Sequence, residues 1–456
     1  MDQRTAEGAA SDLGRRRATP LGDDPRAATY ARVLRRLTFG PFPGQVAAAL
    51  DAHRTVDDLI DAMLAAEPLP FEPYVEGYGP IDIDAHAGEH EFWRYRKYAD
   101  WWARQMASDD AGLHERISWF WHTHMPSSSM KAPDANLGWR QIRTIRDGAL
   151  GNFGDLMKAL TIDGAMLMYL DGDGSAGFAP NENYARELME LYMLGIGNYT
   201  QRDVVAAARA LSGWSVYFYG KDTQPVAETP KAVRFDPDRT YQGKVTFLGK
   251  KARYDVDGII DRILQQDACA PFITRKLWKF LIGGEADPKL IATWAKAFRR
   301  SGYEIEPLVA AMVRSEPFRS GTHRRARTPI EWHTAAMRSG GVPIVDTNGL
   351  EELGQHPYMP PSPAGWPGDN TWLSTTQAHA RARYLAIQDL DVSALAAAPD
   401  LVGAVLDQAS IVDEPGLRAT LDDLDAELRA DPSIGAELRA RTLLTAALLS
   451  PEFALT

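Results

Sequence analysis

Residues 170–195 read LDGDGSAGFAPNENYARELMELYMLG, an acidic, glycine-rich segment that runs directly into a helical pattern. In the second half, Tyr184, Leu188 and Leu191 recur at three- and four-residue spacing, which indicates a helix with one buried face. In the first half, Asp and Gly alternate, which is typical of a tight turn. The stretch therefore predicts a compact loop between two helices, with Glu182 in the first turn of the second helix.

The loop also has the oxygen spacing of a calcium site. Positions one, three, five and twelve of such a loop correspond here to Asp171, Asp173, Ser175 and Glu182. A hard cation takes six or more oxygens, and alternate residues of a tight loop direct side-chain oxygens inward. Ala176 stands where the sharp turn favours glycine, and Pro180 stiffens the second half. The alternative is a plain Gly/Asp turn, with Glu182 favoured by the helix N-terminus.

Helical periodicity dominates the rest of the chain, for example in ATYARVLRRLTFG and in YTQRDVVAAARALSGW. In the second of these segments Thr200 is the expected N-cap, with Asp203 in the first turn. Residues 214–255 differ, because WSVYFY, KAVRFD and KVTFLGK are short, β-rich and separated by turn residues. We therefore predict a mostly α fold, a single large helical domain with a small β-hairpin insertion.

The expected organisation has three parts. Residues 1–28 are predicted to form a disordered tail, residues 29–395 the helical domain, and residues 396–456 a C-terminal helical extension. Within the domain, residues 214–255 are the β-rich insertion, expected at the surface because of its Pro, Gly and Lys content. The tail has arginines but lacks the apolar centre of a secretory signal, which favours a cytoplasmic location.

Composition excludes several classes of protein. The 456 residues are 45% hydrophobic and 24% charged, as in ordinary globular proteins. The net charge of −11 argues against a nucleic-acid partner. Cys269 is the single thiol, so neither a disulfide framework nor a thiolate zinc site is expected. No apolar run reaches the roughly 18 residues that a membrane span requires.

WFWHTHMP contains two histidines, His122 and His124, next to a proline that favours a helix end. On a helix the two rings diverge, but an irregular turn would bring both to one zinc, iron or copper ion. Glu115, two turns before His122, is a candidate third ligand. The alternative is that each imidazole satisfies an orphan carbonyl at the helix C-terminus.

NYARELMEL places Glu187 and Glu190 three residues apart, so their carboxylates are neighbours on the helix surface. Two like charges at this spacing are mildly unfavourable unless a cation separates them. One interpretation is a solvated charged face. The other is a carboxylate pair that acts as a base or completes a metal site, with Arg186 and Arg275 binding an anionic group.

Several segments together resemble the bacterial domain-of-unknown-function 1800 family, over roughly residues 30–390. They occur in this order: RVLRRLTFGPFP, RISWFWHTHM, GALGNFGDLMKALTIDGAMLMYLD, PNENYARELMELYMLGIGNYTQRDVVAAARALSGW, FITRKLWKFL and PPSPAGWPG. The resemblance implies members that are commonly exported and often encoded beside a sulfatase-like family. It also implies that the His-x-His pair and the Asp171–Glu182 stretch are family features. Many members carry histidine where this chain has Tyr192.

Two functions follow as hypotheses. The first is a metal-dependent enzyme, hydrolase or oxidoreductase, that activates water or dioxygen at the His-x-His/Glu site and takes a small-molecule or anionic substrate. The second is a non-catalytic, calcium-stabilised helical scaffold or binding protein. The substrate, the metal and the oligomeric state stay open.

Overall fold

The computed structural model describes residues 24–71, 74–75, 79–80, 91–108, 111–132, 134–216, 233–342, 347–412 and 414–456. Most of the predicted tail, residues 1–23, lies outside this part of the chain. The first helix of the described ranges begins at Ala27, inside the segment expected to be disordered. The rest of the described chain is mostly α-helical, as predicted.

Fourteen helices precede residue 315 in the described part of the chain. They are α1 Ala27–Leu37, α2 Gln45–Ala52, α3 Val56–Leu64, α4 Glu91–Ala107, α5 Leu113–His124, α6 Ala135–Gly148, α7 Phe153–Thr161, α8 Gly164–Tyr169, α9 Glu182–Glu187, α10 Gln201–Ala210, α11 Val256–Leu264, α12 Cys269–Leu281, α13 Pro288–Arg300 and α14 Ile305–Val313. A π-helix, Leu188–Met193, continues α9.

The remaining helices are mostly shorter. They are α15 Glu316–Arg319, α16 Pro329–Gly340, α17 Asn348–Glu352, α18 Thr375–Ala386, α19 Ser393–Ala396, α20 Leu401–Gln408, α21 Pro415–Ala430, α22 Ala436–Leu449 and α23 Pro451–Ala454, with a 3-10 helix at Asp369–Leu373.

Local capping explains where these helices begin. Thr200 caps α10 as predicted: its hydroxyl accepts the Asp203 N–H at 3.3 Å, and the Asp203 carboxylate accepts the Thr200 N–H at 2.9 Å. This reciprocal pair satisfies two backbone donors that an isolated helix leaves open. The start of α10 is therefore set by four residues of local sequence.

The predicted β-rich insertion is present as two antiparallel hairpins. They pair β3 Trp214–Val216 with β4 Val233–Phe235, and β5 Val245–Phe247 with β6 Lys250–Ala252. Residues 217–232 lie outside the described chain. Along β5 the side chains alternate buried, exposed, buried, so Val245 and Phe247 anchor this hairpin in the main core. A further short pair, β1 Tyr74–Val75 with β2 Gly79–Pro80, was not predicted.

Three apolar clusters hold the helices together. The largest runs from Ala27 to Phe318, an aromatic cluster packs around Trp102 and Trp119, and a third runs from Trp332 to Phe453. The predicted C-terminal extension shares this third core with residues that precede it. None of the helices in the described part of the chain combines the length and apolar character that crossing a bilayer requires.

Candidate functional site

The two histidines of the His-x-His pair have different surroundings. Helix α5 ends at His124, as the following Pro126 led us to expect. His122 is fully buried, and its Nε2 accepts the Tyr358 N–H at 3.4 Å. Its ring packs among Trp102, Trp119, Tyr358 and Trp366. The helical backbone keeps the rings apart, because residues two apart diverge by about 200°.

His124 faces another set of partners. Its Nε2 lies 2.9 Å from the backbone oxygen of Tyr192, at the end of the π-helix. The ring stacks on Phe120, with the centroids 5.7 Å apart. We expected His124, in the alternative interpretation, to bond a carbonyl at the end of its own helix, α5. The carbonyl that it contacts belongs instead to the π-helix.

Burial lowers the pKa of both imidazoles. The pKa of His122 falls to about 3 for this reason, and that of His124 also falls to about 3, with the positive charge of Lys276 as a second cause. Both rings are therefore neutral near pH 7. A neutral imidazole is a hydrogen-bonding group and a metal ligand, but with so low a pKa it is a weak general base.

Glu115 forms a buried ion pair. Its Oε2 lies 2.5 Å from Arg146 Nη1, and its Oε1 accepts the Trp102 indole N–H. Burial raises the pKa of Glu115, while Arg146 and Trp102 act in the opposite direction. Both carboxylate oxygens are thus engaged by protein donors, and ligation of a metal by Glu115 would require this pair to separate.

The loop between residues 170 and 181 has the predicted backbone. Helix α8 ends at Tyr169 and α9 begins at Glu182, so a compact loop joins two helices with Glu182 in the first turn of the second. The Asn181 side chain caps α9 by accepting the Asn183 N–H at 2.7 Å. Asp171 adopts a left-handed φ of 58°, a conformation that Asp tolerates better than most residues.

The oxygens of the candidate calcium loop have several protein partners. Oδ1 of Asp173 accepts the Val216 N–H at 2.7 Å, which ties the loop to the β-rich insertion. The hydroxyl of Ser175 accepts the Asn181 N–H at 3.0 Å. Asp171 lies 3.4 Å from the ammonium of Lys131.

Glu182 lies on the exposed side of α9. Its Oε2 accepts from the Gln201 amide at 2.6 Å and lies 3.7 Å from Arg186. Gln201 in turn accepts from Arg186 at 2.8 Å. Arg186 thus belongs to a surface network with Glu182.

The carboxylate pair of the π-helix segment is partly shielded. The pKa of Glu187 is raised by burial and by the neighbouring charge of Glu190. The Tyr199 hydroxyl donates to Glu190. Among the described residues, no group of three or more His, Cys, Asp and Glu is arranged to hold a metal ion. The metal ligands therefore stay predictions.

A cavity of about 290 Å³ is lined in part by His124. Four of the segments that carry the family resemblance line it: α5, the π-helix, α12 and the loop PPSPAGWPG. Their side chains in the lining include Trp119, Phe120, His124, Leu191, Lys276, Lys279, Phe280 and Trp366. These segments are far apart in sequence, so only the packing of the helices brings them to one place.

A close backbone contact seats the PPSPAGWPG loop against α5. Gly365 has a φ of 81°, and a Cβ built on it would stand 2.3 Å from the Thr123 carbonyl oxygen. The Trp366 ring then lies 5.8 Å from the Trp119 ring, between their centroids. Glycine is required here for both the left-handed backbone and the close approach.

Three cationic side chains line this pocket: Lys276, Lys279 and Arg325. Within the described ranges, no Asp or Glu belongs to the lining. Arg325 is buried and paired with Glu331, with both contacts at 2.8 Å. Desolvation and the charge of Lys279 lower the pKa of Lys276. The pocket is therefore electropositive.

One polar atom of the lining residues, Trp366 Nε1, is buried and lacks a hydrogen-bond partner in the described part of the chain. An indole N–H is a donor, and a buried donor without an acceptor costs about 1–3 kcal/mol. Thr328 instead belongs to a capping box with Glu331 at the start of α16.

The sequence did not identify Lys276, Lys279 or Trp366. It selected Arg275, which is outside the lining, whereas Lys276 and Lys279, which are as exposed as Arg275, line the cavity. The available signal was their three-residue spacing, which puts both on one helix face together with Phe280.

Comparison with known proteins identifies a family. The family model described as "Protein of unknown function (DUF1800)" covers residues 32–455, and so continues through the segment expected to be a C-terminal extension. No curated protein and no solved structure matches the chain. Because the family model covers nearly its whole length, the chain belongs to the DUF1800 family.

Proposed function

We propose that the pocket binds a small organic anion with a flat, apolar body. The observation that carries this proposal is the combination of three cations with an aromatic wall, in a lining that has no acidic side chain in the described part of the chain. Positive charge in a partly enclosed cavity attracts an anion more strongly than it does in bulk water.

The walls support a flat ligand. Trp119, Phe120, Phe280 and Trp366 supply aromatic surface, and aromatic rings pack well against one another in offset or edge-on arrangements. The volume of about 290 Å³ is just below the range of ligand pockets, which span about 300–1,000 Å³. A ligand with one ring and one acidic group matches this size.

The hydrogen-bonding groups support an oxyanion. Trp366 Nε1 is a donor without an acceptor in the described part of the chain, and Lys276 and Lys279 add charge-assisted donors. Hydrogen bonds to charged groups contribute about 1.5–3 kcal/mol each. Carboxylate, phosphate and sulfonate groups present the oxygens that this set of donors requires.

Binding is tested with three probes that separate charge from shape: benzoate, benzyl alcohol and acetate. Quenching of tryptophan fluorescence reports occupancy, because Trp119 and Trp366 line the cavity. We expect benzoate to bind at least about tenfold more tightly than either comparison probe, since each 1.4 kcal/mol is tenfold in affinity. Equal affinities for benzoate and benzyl alcohol would contradict the proposal.

A matched pair of variants locates the site. Lys279→Gln removes a charge from the lining, whereas Lys296→Gln removes one from an exposed position of α13. Benzoate affinity should fall about tenfold in the first variant and stay unchanged in the second, because long-range charge effects are screened by salt. If both variants lose affinity equally, the anion is attracted by net charge and not by this pocket.

A metal-dependent enzyme is the second proposal, supported by the neutral state and the pocket position of His124. A neutral imidazole is the form that binds zinc, iron or copper. Elemental analysis of the purified protein tests it. Stoichiometric metal that is lost in His124→Ala supports the enzyme, and metal-free protein that still binds benzoate supports the binding function alone.

A further inference from the structure

We propose that a second cavity, beside the β3–β4 hairpin and the start of α11, binds a neutral sugar. This hairpin cavity is lined by Trp214, Phe235, residues 240–241 and residues 253–257, together with Ile162 and Ala210. Its volume is about 610 Å³, within the range of ligand pockets, which is about 300–1,000 Å³. Among the described residues, none belongs both to this lining and to that of the electropositive pocket, so the inference does not depend on the proposed anion site.

Aromatic side chains form the apolar part of the hairpin cavity. They are Trp214, Phe235, Tyr241 and Tyr254. Phe235 is 43% exposed, and its ring lies beside that of Trp214 with the centroids 5.0 Å apart. A pyranose with equatorial hydroxyl groups has a flat C–H face, and such a face packs on large aromatic surfaces of this kind. The lining therefore offers a surface for a sugar ring.

The charges at the hairpin cavity favour a neutral ligand. Asp255 and Asp257 place two carboxylates in the lining. Arg253 adds a guanidinium group, and that of Arg209 lies over the Tyr241 ring, 4.9 Å from its centroid. An anion would be repelled by the carboxylates and a cation by the guanidinium groups. A polyhydroxyl compound avoids both repulsions.

The polar groups of the hairpin cavity match hydroxyl groups, which both donate and accept hydrogen bonds. Asp257 is an exposed acceptor in the first turn of α11, Arg253 is a donor, and the Thr240 hydroxyl can do either. Trp214 Nε1 is a buried donor for which the described ranges supply no acceptor. A sugar hydroxyl oxygen would satisfy it, whereas a quaternary ammonium group has no oxygen to offer.

Backbone hydrogen bonds hold the aromatic residues in place. The Trp214 carbonyl oxygen accepts the Gly174 N–H at 3.0 Å, which ties β3 to the loop between α8 and α9. The Tyr241 N–H donates to the Ser212 hydroxyl at 3.2 Å. A site held in this way loses less conformational freedom when it binds a ligand.

Saturation-transfer NMR on the full chain tests the inference with cellobiose, cyclohexanol and glycerol at equal millimolar concentration. Cyclohexanol keeps an apolar ring with a single hydroxyl, and glycerol keeps hydroxyls without a ring. We expect transfer to the C–H protons of cellobiose and only background transfer to the other two, because cellobiose alone combines a ring face with many hydroxyls. Absent transfer to cellobiose, or equal transfer to all three, would overturn the inference.

Two further probes separate this site from its alternatives. Saturating benzoate should leave the cellobiose signal unchanged, because the two cavities are lined by different residues. Displacement by benzoate would place the sugar in the electropositive pocket and refute a separate site. Tighter binding of choline than of cellobiose would also refute the inference, because it would indicate that the aromatic rings hold a cation.

Phe235→Ala locates the sugar on the aromatic surface. The cellobiose signal should be lost in this variant and kept in Trp93→Ala, which removes an exposed aromatic side chain from outside the lining. Phe235 is partly exposed, so the variant is expected to fold, and circular dichroism checks this. A folded Phe235→Ala protein that binds cellobiose as the wild type does would contradict the proposed site.

Asp257→Asn tests the polar partners, with Glu306→Gln as the matched control. Both carboxylates are exposed and lie in the first turn of nine-residue helices, α11 and α14, but only Asp257 belongs to the lining. Cellobiose affinity should fall about fivefold in Asp257→Asn and stay unchanged in Glu306→Gln, since a charged acceptor forms the stronger hydrogen bond. Equal affinities in the two variants would show that Asp257 does not contact the sugar and would overturn the assignment.

Discussion

The Nε2 atom of His124 lies 2.9 Å from the backbone oxygen of Tyr192. A carbonyl oxygen only accepts hydrogen bonds, so the imidazole carries its proton on Nε2 and keeps Nδ1 as an acceptor. The last carbonyls of a helix lack partners within the helix, and here the π-helix ends at Met193. His124 therefore satisfies an orphan carbonyl and joins α5 to the π-helix beside the pocket.

Replacing His124 with Phe should destabilise the protein. Phe can keep the stacking on Phe120, but it leaves the buried Tyr192 carbonyl without a donor, which costs about 1–3 kcal/mol. The free energy of unfolding from urea titration measures this loss. His379→Phe, at an exposed position of α18, is the control and should change little. An unchanged midpoint for His124→Phe would show that the carbonyl finds another partner.

Stability should fall as the pH drops below about 6.5. A solvated histidine in the unfolded chain has a pKa of 6.5, whereas burial lowers the pKa of His122 to about 3 in the folded protein. Between these values the unfolded chain binds more protons than the folded chain, so stability is complete above the unfolded pKa and is lost as pH falls toward the folded pKa.

His122→Phe should flatten this dependence. Each buried histidine contributes a slope of about 1.4 kcal/mol per pH unit within its window. Denaturant titrations at pH 7, 6 and 5 therefore should show a smaller loss of unfolding free energy in the variant than in the wild type. Parallel pH profiles would mean that His122 is not the neutral, buried group that the structure describes.

Gly365→Ala should weaken both folding and ligand binding. The left-handed backbone costs a side chain about 1–2 kcal/mol, and the added Cβ would press on the Thr123 carbonyl oxygen. Because the displaced loop carries Trp366, benzoate affinity should fall together with the melting temperature. Gly416→Ala is the control, since its Cβ meets no atom within 4 Å. Equal melting temperatures for the two variants would refute the close-approach argument.

The hypothesis of a calcium-stabilised scaffold predicts a calcium-dependent melting temperature. If the Asp171–Glu182 loop holds calcium, millimolar calcium should raise the melting temperature, because a ligand bound only by the folded state stabilises it by mass action. Asp171→Ala should remove that rise and leave the fold intact, since its pair with Lys131 is exposed. A melting temperature that does not respond to calcium would mean that these oxygens serve only their protein partners.

Local sequence determined the elements that flank the site. Three features follow from residues within one or two turns of each other. They are the Thr200–Asp203 capping box, the end of α5 beside Pro126, and the position of Glu182 in the first turn of α9. Short-range hydrogen bonds and backbone preferences fix these features, so they are visible in the chain without knowledge of its partners. The mostly α class follows from the same periodicity.

Tertiary structure decided which side chains share a site. Helix periodicity could not say that Lys276 and not Arg275 would face the cavity, because that depends on how α12 is rotated against its neighbours. Residue spacing also could not show that His122 and His124 would contact different partners. It could not show that Trp366 would pack against Trp119 of α5. These relationships join residues up to hundreds of positions apart, and they arise from burial of apolar surface, which is non-directional and leaves no local signature in the sequence.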